Sequence, residues 1–277
     1  MAADEWMKVD PDGAPPVNID TTVAHQARIY DYLLGGKDNF EVDREAAARS
    51  IEVFPGFRAW ATNNRAFLSR AVRYLVTEAG VRQFLDIGTG LPTEPNTHQL
   101  AQAIEPSSRV CYVDNDPIVL THARALLTSD PAGVTDYIHA DLRDVDRILA
   151  GAADTLDFGQ PVAVMLLMIL HMLPDPEEPY QLVDRIMAAV PPGSFLALTH
   201  TASDIETASV AEMAKRFNER AGRAQGRNRS RDEVARFFTG LDLVPPGIVT
   251  TSRWRPDQDT GQVPNTPAYA AVARKPG

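Results

Sequence analysis

The sequence predicts an α/β chain: a doubly wound, mostly parallel seven-stranded sheet with a helical N-terminal extension. Three observations predict it. From Val81 onward, short apolar runs alternate with stretches of helical periodicity, the pattern of parallel strands joined by crossover helices. Residues 21–80 carry helical periodicity alone. At 277 residues, 44% apolar and 23% charged, the chain can build one large core with appendages. The expected division is an N-terminal arm and helical lid region over 1–80 and a sheet domain over 81–277.

Residues 1–20 combine Pro11, Gly13, Pro15 and Pro16 with polar residues, which predicts a loose tail or extended arm. A first helix is expected from Val23 to Leu34, stopping at Gly35-Gly36. A second runs from Asp43 toward Val53 and breaks at Pro55-Gly56. A third spans Asn63 to Ala79, with Phe67, Ala71, Leu75 and Val76 on one side. Strands follow at Arg82–Ile87, Arg109–Val113, Val134–His139, Pro161–Leu167 and Phe195–Thr199. Helices are expected over Asn96–Ile104, after the N-cap Asp116 and Pro117, from Asp175-Pro176-Glu177-Glu178 onward, and over Ile205–Ala221. Ser230-Arg231-Asp232-Glu233 is a capping box that should start a helix through Phe238. Leu241–Val249 and Ala268–Ala273 complete the seven strands.

Several function classes are disfavoured by composition. The start is acidic and proline-rich, with no basic or apolar region of a secretory signal. The longest apolar run, residues 161–173, is well short of the roughly 20 residues of a membrane span. One cysteine, Cys111, cannot form an internal disulfide and fits a reducing, cytoplasmic setting. A net charge of −10 disfavours a nucleic-acid partner. Arginines are dense between Arg216 and Arg236, either as a solvated face and loop or as a seat for an anionic acceptor. No His/Cys spacing suits a metal, and no fixed-period repeat is present.

The chemistry-bearing motifs sit at strand ends. Phe84-Leu85-Asp86-Ile87-Gly88-Thr89-Gly90 is an apolar strand ending in a glycine turn, where backbone can approach a ligand closely. The Asp86 carboxylate beside it suits an ammonium group better than a pyrophosphate. A dinucleotide fingerprint would place glycine where Thr93 stands. Next, Val113-Asp114-Asn115-Asp116-Pro117 puts an acidic residue where a ribose diol would be held, Asp114 in that role and Asp116 as a helix cap. Then His139-Ala140-Asp141-Leu142 offers a carboxylate for an adenine amino group and a following N–H for the ring. Each alone could be turn chemistry; together they describe ammonium, ribose and adenine sites in one crevice.

The order and spacing of these elements resemble the class I, Rossmann-like S-adenosylmethionine methyltransferases. The resemblance implies S-adenosylmethionine as cofactor, with Gly88 and Gly90 as its turn, Asp114 with neighbouring Asn115 at the ribose, and Asp141 and Leu142 at the adenine. Met165-Leu166-Leu167-Met168 looks like the fourth-strand region, with Leu167 backbone bordering the methionine moiety. The run Ala27-Arg28-Ile29-Tyr30-Asp31-Tyr32-Leu33-Leu34-Gly35-Gly36-Lys37-Asp38-Asn39-Phe40 is similar to a narrower group. That group is an actinobacterial methyltransferase family first catalogued as a domain of unknown function. The same likeness covers Asn64-Arg65-Ala66-Phe67, Gly90-Leu91-Pro92-Thr93 and Trp254-Arg255-Pro256. It makes a secondary metabolite a natural guess for the acceptor.

Around that run two readings stand: a lid lined by Tyr30, Lys37, Asn39 and Arg65, or a packed helical subdomain without ligand contact. No nucleophile is assigned. His98, His171 and His200 are candidate bases, with His171 the one to test; positioning alone can also supply much of the rate. The absence of an Asp/Asn-Pro-Pro-Tyr run disfavours methylation of base amines or glutamine amides. The expected function is methylation of a small-molecule acceptor. The alternatives are a non-catalytic S-adenosylmethionine- or nucleoside-binding regulator and, behind it, an NAD-linked oxidoreductase.

Overall fold

The computed structural model describes residues 20–116, 118–119, 129–212, 215, 226–257 and 266–277. The N-terminal tail, Pro117 and most of the helix expected after it lie outside the described residues. So do residues 213–214 and 216–221 of the expected 205–221 helix, the arginines from Arg216 to Arg223, and the loop holding Gly261 and Pro264.

Three helices come first among the described residues: α1 (Gln26–Leu33), α2 (Glu41–Val53) and α3 (Phe57–Thr77). α1 ends where Leu34 caps it and Gly35 takes a left-handed φ of +84° that an L side chain would resist. The α1–α2 corner is organised by one buried carboxylate. Asp43 accepts from the backbone N–H groups of His25 and Phe40 and pairs with Arg28 at 2.9 Å, the Arg28 and Asp43 side chains being buried. α3 begins directly after Pro55-Gly56, earlier than its periodicity suggested, because Phe57, Trp60 and Ala61 bury against α1 and α2. Farther along, Phe67, Leu68, Ala71, Val72, Leu75 and Val76 lie in a different apolar cluster, under the sheet.

The strands are β1 (Gln83–Ile87), β2 (Arg109–Asp114), β3 (Val134–His139), β4 (Ala163–Leu167), β5 (Phe195–Thr201), β6 (Asp242–Leu243), β7 (Val249–Thr250) and β8 (Ala268–Arg274). Their order is β3-β2-β1-β4-β5-β8-β6, with β7 also pairing β8. β1 to β5 pair in parallel, and β8 runs antiparallel to β5. Eight strands stand where seven were expected. The single strand predicted over Leu241–Val249 is cut by Pro245 and Pro246, which carry no N–H for a ladder, so only its two ends pair.

Among the described residues, the helices whose full extent is seen continue with α4 (Thr97–Gln102), α5 (Val145–Ala152), α6 (Pro179–Ala189) and α7 (Arg231–Ala235). Asn96 begins α4 and Ser230 begins α7, each through a capping box. The acidic run 175–178 forms a 3₁₀ turn, and α6 starts only at Pro179, after Glu178 turns left-handed. Alternate residues of β1 to β5 face two apolar clusters, so both faces of the sheet are covered. Chain order reverses between β1 and β4, and the crevice of such a sheet opens at the carboxyl ends beside that switch. Among the described residues no helix is long and apolar enough to cross a membrane, and no group of His, Cys, Asp and Glu could hold a metal ion.

Candidate functional site

The glycine turn after β1 is bent onto β2 and β4. Gly88 and Gly90 have φ of +78° and +66°, and the Gly88 N–H donates to Val113 O at 2.8 Å. A Cβ on Gly88 would stand 2.6 Å from the Ile169 side chain, so only glycine lets the loop after β4 pass this close.

Asp114, at the end of β2, is held by that turn. Its Oδ2 accepts from Gly90 N at 2.8 Å and its Oδ1 from Asp116 N at 3.0 Å. Burial pushes its carboxyl above the ordinary range, against the pull of those two backbone donors. Asn115 donates to Asp141 Oδ2 at 2.8 Å, bringing the second and third strand ends together. Burial works against ionisation of Asp141, but hydrogen bonds from Arg143 and Asn115 outweigh it and hold the carboxyl low. Leu142 is buried in the apolar cluster on the helix face of that turn.

Asp86 lies deeper. It is 7% exposed, accepts from Thr97 Oγ1 at 2.6 Å, and burial raises its carboxyl to about 6. It lines a cleft with Arg65, Thr89, Gly90, Asn96, Tyr112 and Tyr137, among others, whose enclosed space is about 20 Å³. Asp86, Tyr112 and Tyr137 are register partners across β1, β2 and β3 and so share one face of the sheet. Tyr112 OH accepts from His98 N at 2.8 Å, whereas Tyr137 OH is buried without a partner. Sequence reasoning missed Thr97, Tyr112 and Tyr137. For the two tyrosines the signal was present, because period-two alternation from Asp86 leads to both.

The four expected lid residues divide. Arg65 reaches the cleft and spans the glycine loop, donating to Thr93 O and, at 2.6 Å, to Pro95 O. Tyr30 joins a buried chain in which its OH donates to Ala61 O, Asn64 Nδ2 donates to Tyr30, and Thr199 Oγ1 donates to Asn64 Oδ1. Met168 N, just past Leu167 and β4, donates to Thr199 Oγ1 at 2.9 Å. Asn39 instead folds back on α1, donating to Asp31 Oδ2 at 2.8 Å, and Lys37 is exposed on the same turn. α1 itself lies against the crevice. Ala27 packs with Leu91, Ile118 and Val119, and His25 Nδ1 lies 2.9 Å from Asp116 Oδ2.

Beyond β4, His171 sits in a 3₁₀ turn, and burial with the nearby Arg229 charge pulls its pKa down to about 4. His200 is fully buried behind it. Arg229 overturns the solvated-face reading for its part of the arginine cluster. It is fully buried, donating to Leu170 O, Leu173 O and Asp175, while Arg227 pairs with Asp175 and Glu233. Cys111 is buried in β2, its thiol pushed up to about 12 by burial.

The comparisons bear on the family of the chain. The S-adenosyl methyltransferase family model matches residues 12–276. A DUF574 family protein from Streptomyces avermitilis is 43% identical, with a TM-score of 0.90 over 94% of this chain and 100% of its own. A protein of Thermobifida fusca, assigned as a methyltransferase, is 40% identical, with a TM-score of 0.86 over 95% of this chain and 99% of its own. No curated protein matches the chain.

Proposed function

The chain belongs to the S-adenosyl methyltransferase family and is S-adenosylmethionine-dependent; we propose that it methylates a small-molecule acceptor, with the cofactor along the carboxyl ends of β1, β2 and β3. The observation that carries this reading is the pairing of Asp86 and Arg65 across one cleft beside the glycine turn. A carboxylate and a guanidinium facing the same space match the ammonium and carboxylate of a methionyl group. The buried, unpartnered Tyr137 hydroxyl offers a further polar contact there.

Bound S-adenosylmethionine supplies a methyl group already activated by its sulfonium. The protein's own work is to bind and orient. Asp114 is fixed by two backbone donors, yet each oxygen keeps lone-pair capacity for a ribose hydroxyl. Asn115 orients Asp141, which in this reading accepts from the adenine amino group while the Leu142 N–H serves the ring. Leu167 and the turned Met168 border the methionyl end. α1 and the start of α3 serve as the lid over this crevice, with Arg65 and Tyr30 as its inner contacts. Lys37 and Asn39 belong to its hinge side. The negative charge weighs against a polyanionic acceptor, and the lone buried thiol suits the cytoplasm.

Calorimetric titration with S-adenosylmethionine tests this. Wild type is expected to bind in the micromolar range, and Asp114→Ala to bind at least tenfold more weakly, the loss of about one charged hydrogen bond. NADH is the parallel arm. A folded wild type that binds NADH and not S-adenosylmethionine refutes the assignment of this crevice. An Asp114→Ala variant of unchanged affinity refutes the ribose role.

A further inference from the structure

Two buried nitrogens beside this crevice have no partner. Trp60 Nε1, on α3, and His171 Nδ1, after β4, are both enclosed from solvent and make no hydrogen bond. An unpaired buried polar group costs about 1–3 kcal/mol, so two of them side by side call for a partner. These two are neighbours brought together from distant parts of the chain, with ring centroids 6.3 Å apart and planes at 88°. Tyr30 stands edge-on to Trp60 at 6.1 Å, and Met168 packs against the same apolar cluster. The loop that carries His171 is the one whose Ile169 touches Gly88, so the pair adjoins the methionyl end of the crevice.

We propose that Trp60 and His171 form the acceptor subsite, and that it takes a hydroxyl group carried on a flat, unsaturated ring. This rests on the methyltransferase reading above. The indole N–H can only donate. The His171 imidazole is held neutral by burial and the Arg229 charge; with Nε2 taken as the protonated nitrogen, Nδ1 accepts. A group addressed by both must therefore accept and donate at once. A hydroxyl does so and keeps a second lone pair free to be methylated. A neutral amine has one lone pair, and the indole N–H would occupy it. A carboxylate has no proton to give. The rings of Tyr30, Trp60 and His171, packed edge to face on one another, favour a planar ring over an aliphatic alcohol as their further partner.

The test uses p-cresol and 1-naphthol as probes, with toluene, naphthalene, p-toluidine and 1-naphthylamine as controls, all in the presence of S-adenosylhomocysteine. The chain has three tryptophans, and Trp60→Phe identifies the indole N–H resonance of Trp60 by its disappearance. That resonance is expected to shift with the two phenols and not with the hydrocarbons or amines. Calorimetric affinity for the phenols should fall about tenfold in Trp60→Phe and in His171→Phe, while both variants keep wild-type affinity for S-adenosylhomocysteine. Phenols that leave the resonance in place, bind both variants as well as wild type, bind no better than the amines, or fail to bind wild type overturn the proposal. A wild type that fails to bind S-adenosylhomocysteine fails the cofactor reading instead, and that arm is read first.

Discussion

Asp86 is where stability and binding pull apart. Its carboxyl stands at about 6 in the folded chain against an ordinary 3.8, chiefly because it is buried. The folded state thus holds that proton more tightly than the unfolded state does. Between roughly pH 4 and 6 the contribution of this group to stability falls as pH rises, and the full penalty is present above pH 6. A displacement of that size corresponds to a penalty on the order of 2–3 kcal/mol. Asp86→Asn removes the charge and keeps an oxygen for the Thr97 hydroxyl, so it is expected to raise the melting temperature at pH 7.5. The same change removes the partner of the cofactor ammonium and should weaken S-adenosylmethionine binding at least tenfold. In wild type, affinity should also drop as pH falls below 6 and Asp86 protonates. A variant that is destabilised, or that binds as wild type does, refutes this account of the residue.

At the scale of elements, the turn after α1 needs two adjacent glycines for different reasons. Gly35 has a left-handed φ of +84° and open space around it, so Gly35→Ala should cost about 1 kcal/mol of backbone strain. At Gly36 a Cβ would fall 1.9 Å from Asp31 Oδ1. That carboxylate cannot swing away cheaply, because Asp38 N and Asn39 Nδ2 both donate to it. Gly36→Ala is therefore expected to cost more than Gly35→Ala, about 2–3 kcal/mol in urea unfolding, by releasing the 36–39 turn. Equal costs would mean that the carboxylate is not what Gly36 accommodates. From the residues alone the pair read equally as a cap or a hinge, since neither φ nor the Asp31 carboxylate is visible in one dimension. Other elements were plain in the sequence because their cause is local. Ser230 and Glu233 cap each other three residues apart, and β1, β2, β4 and β5 are largely apolar because both faces of the sheet are covered there. The early start of α3 was hidden, because it depends on Trp60 packing against helices far from it in sequence. Asp86, Gly88, Gly90, Asp114 and Asp141 were legible as strand-end chemistry. Thr97 and Trp60 were not, since each matters only through a partner that folding delivers.

For the molecule as a whole, the question is how a cofactor finds room in a crevice this narrow. The space beside Asp86 is about 20 Å³, enough for about one water, whereas cofactor pockets run to about 300–1,000 Å³. The elements around it identify the moving parts. Arg65 crosses to Thr93 and Pro95, Ala27 packs on Leu91, and His25 meets Asp116, so α1 and the start of α3 are tied to the rim by few contacts. The second half of α3 is packed under the sheet and is not expected to move. Loading should therefore open the α1 side and then lock it. Hydrogen exchange is expected to slow on adding S-adenosylhomocysteine in the strand-end loops, in α1, and in α2, which makes no cofactor contact in the proposed pose. At a hundredfold excess over Kd the ligand stabilises the fold by about 2.7 kcal/mol, a rise in melting temperature on the order of 5–10 °C for a chain of this size. Protection confined to the β1, β2 and β3 loops, with α1 and α2 exchanging as before, would leave the N-terminal helices a packed subdomain and remove the lid. Protection that reaches α2 requires the Asp43 corner to transmit closure, because that carboxylate joins the start of α1 to the start of α2.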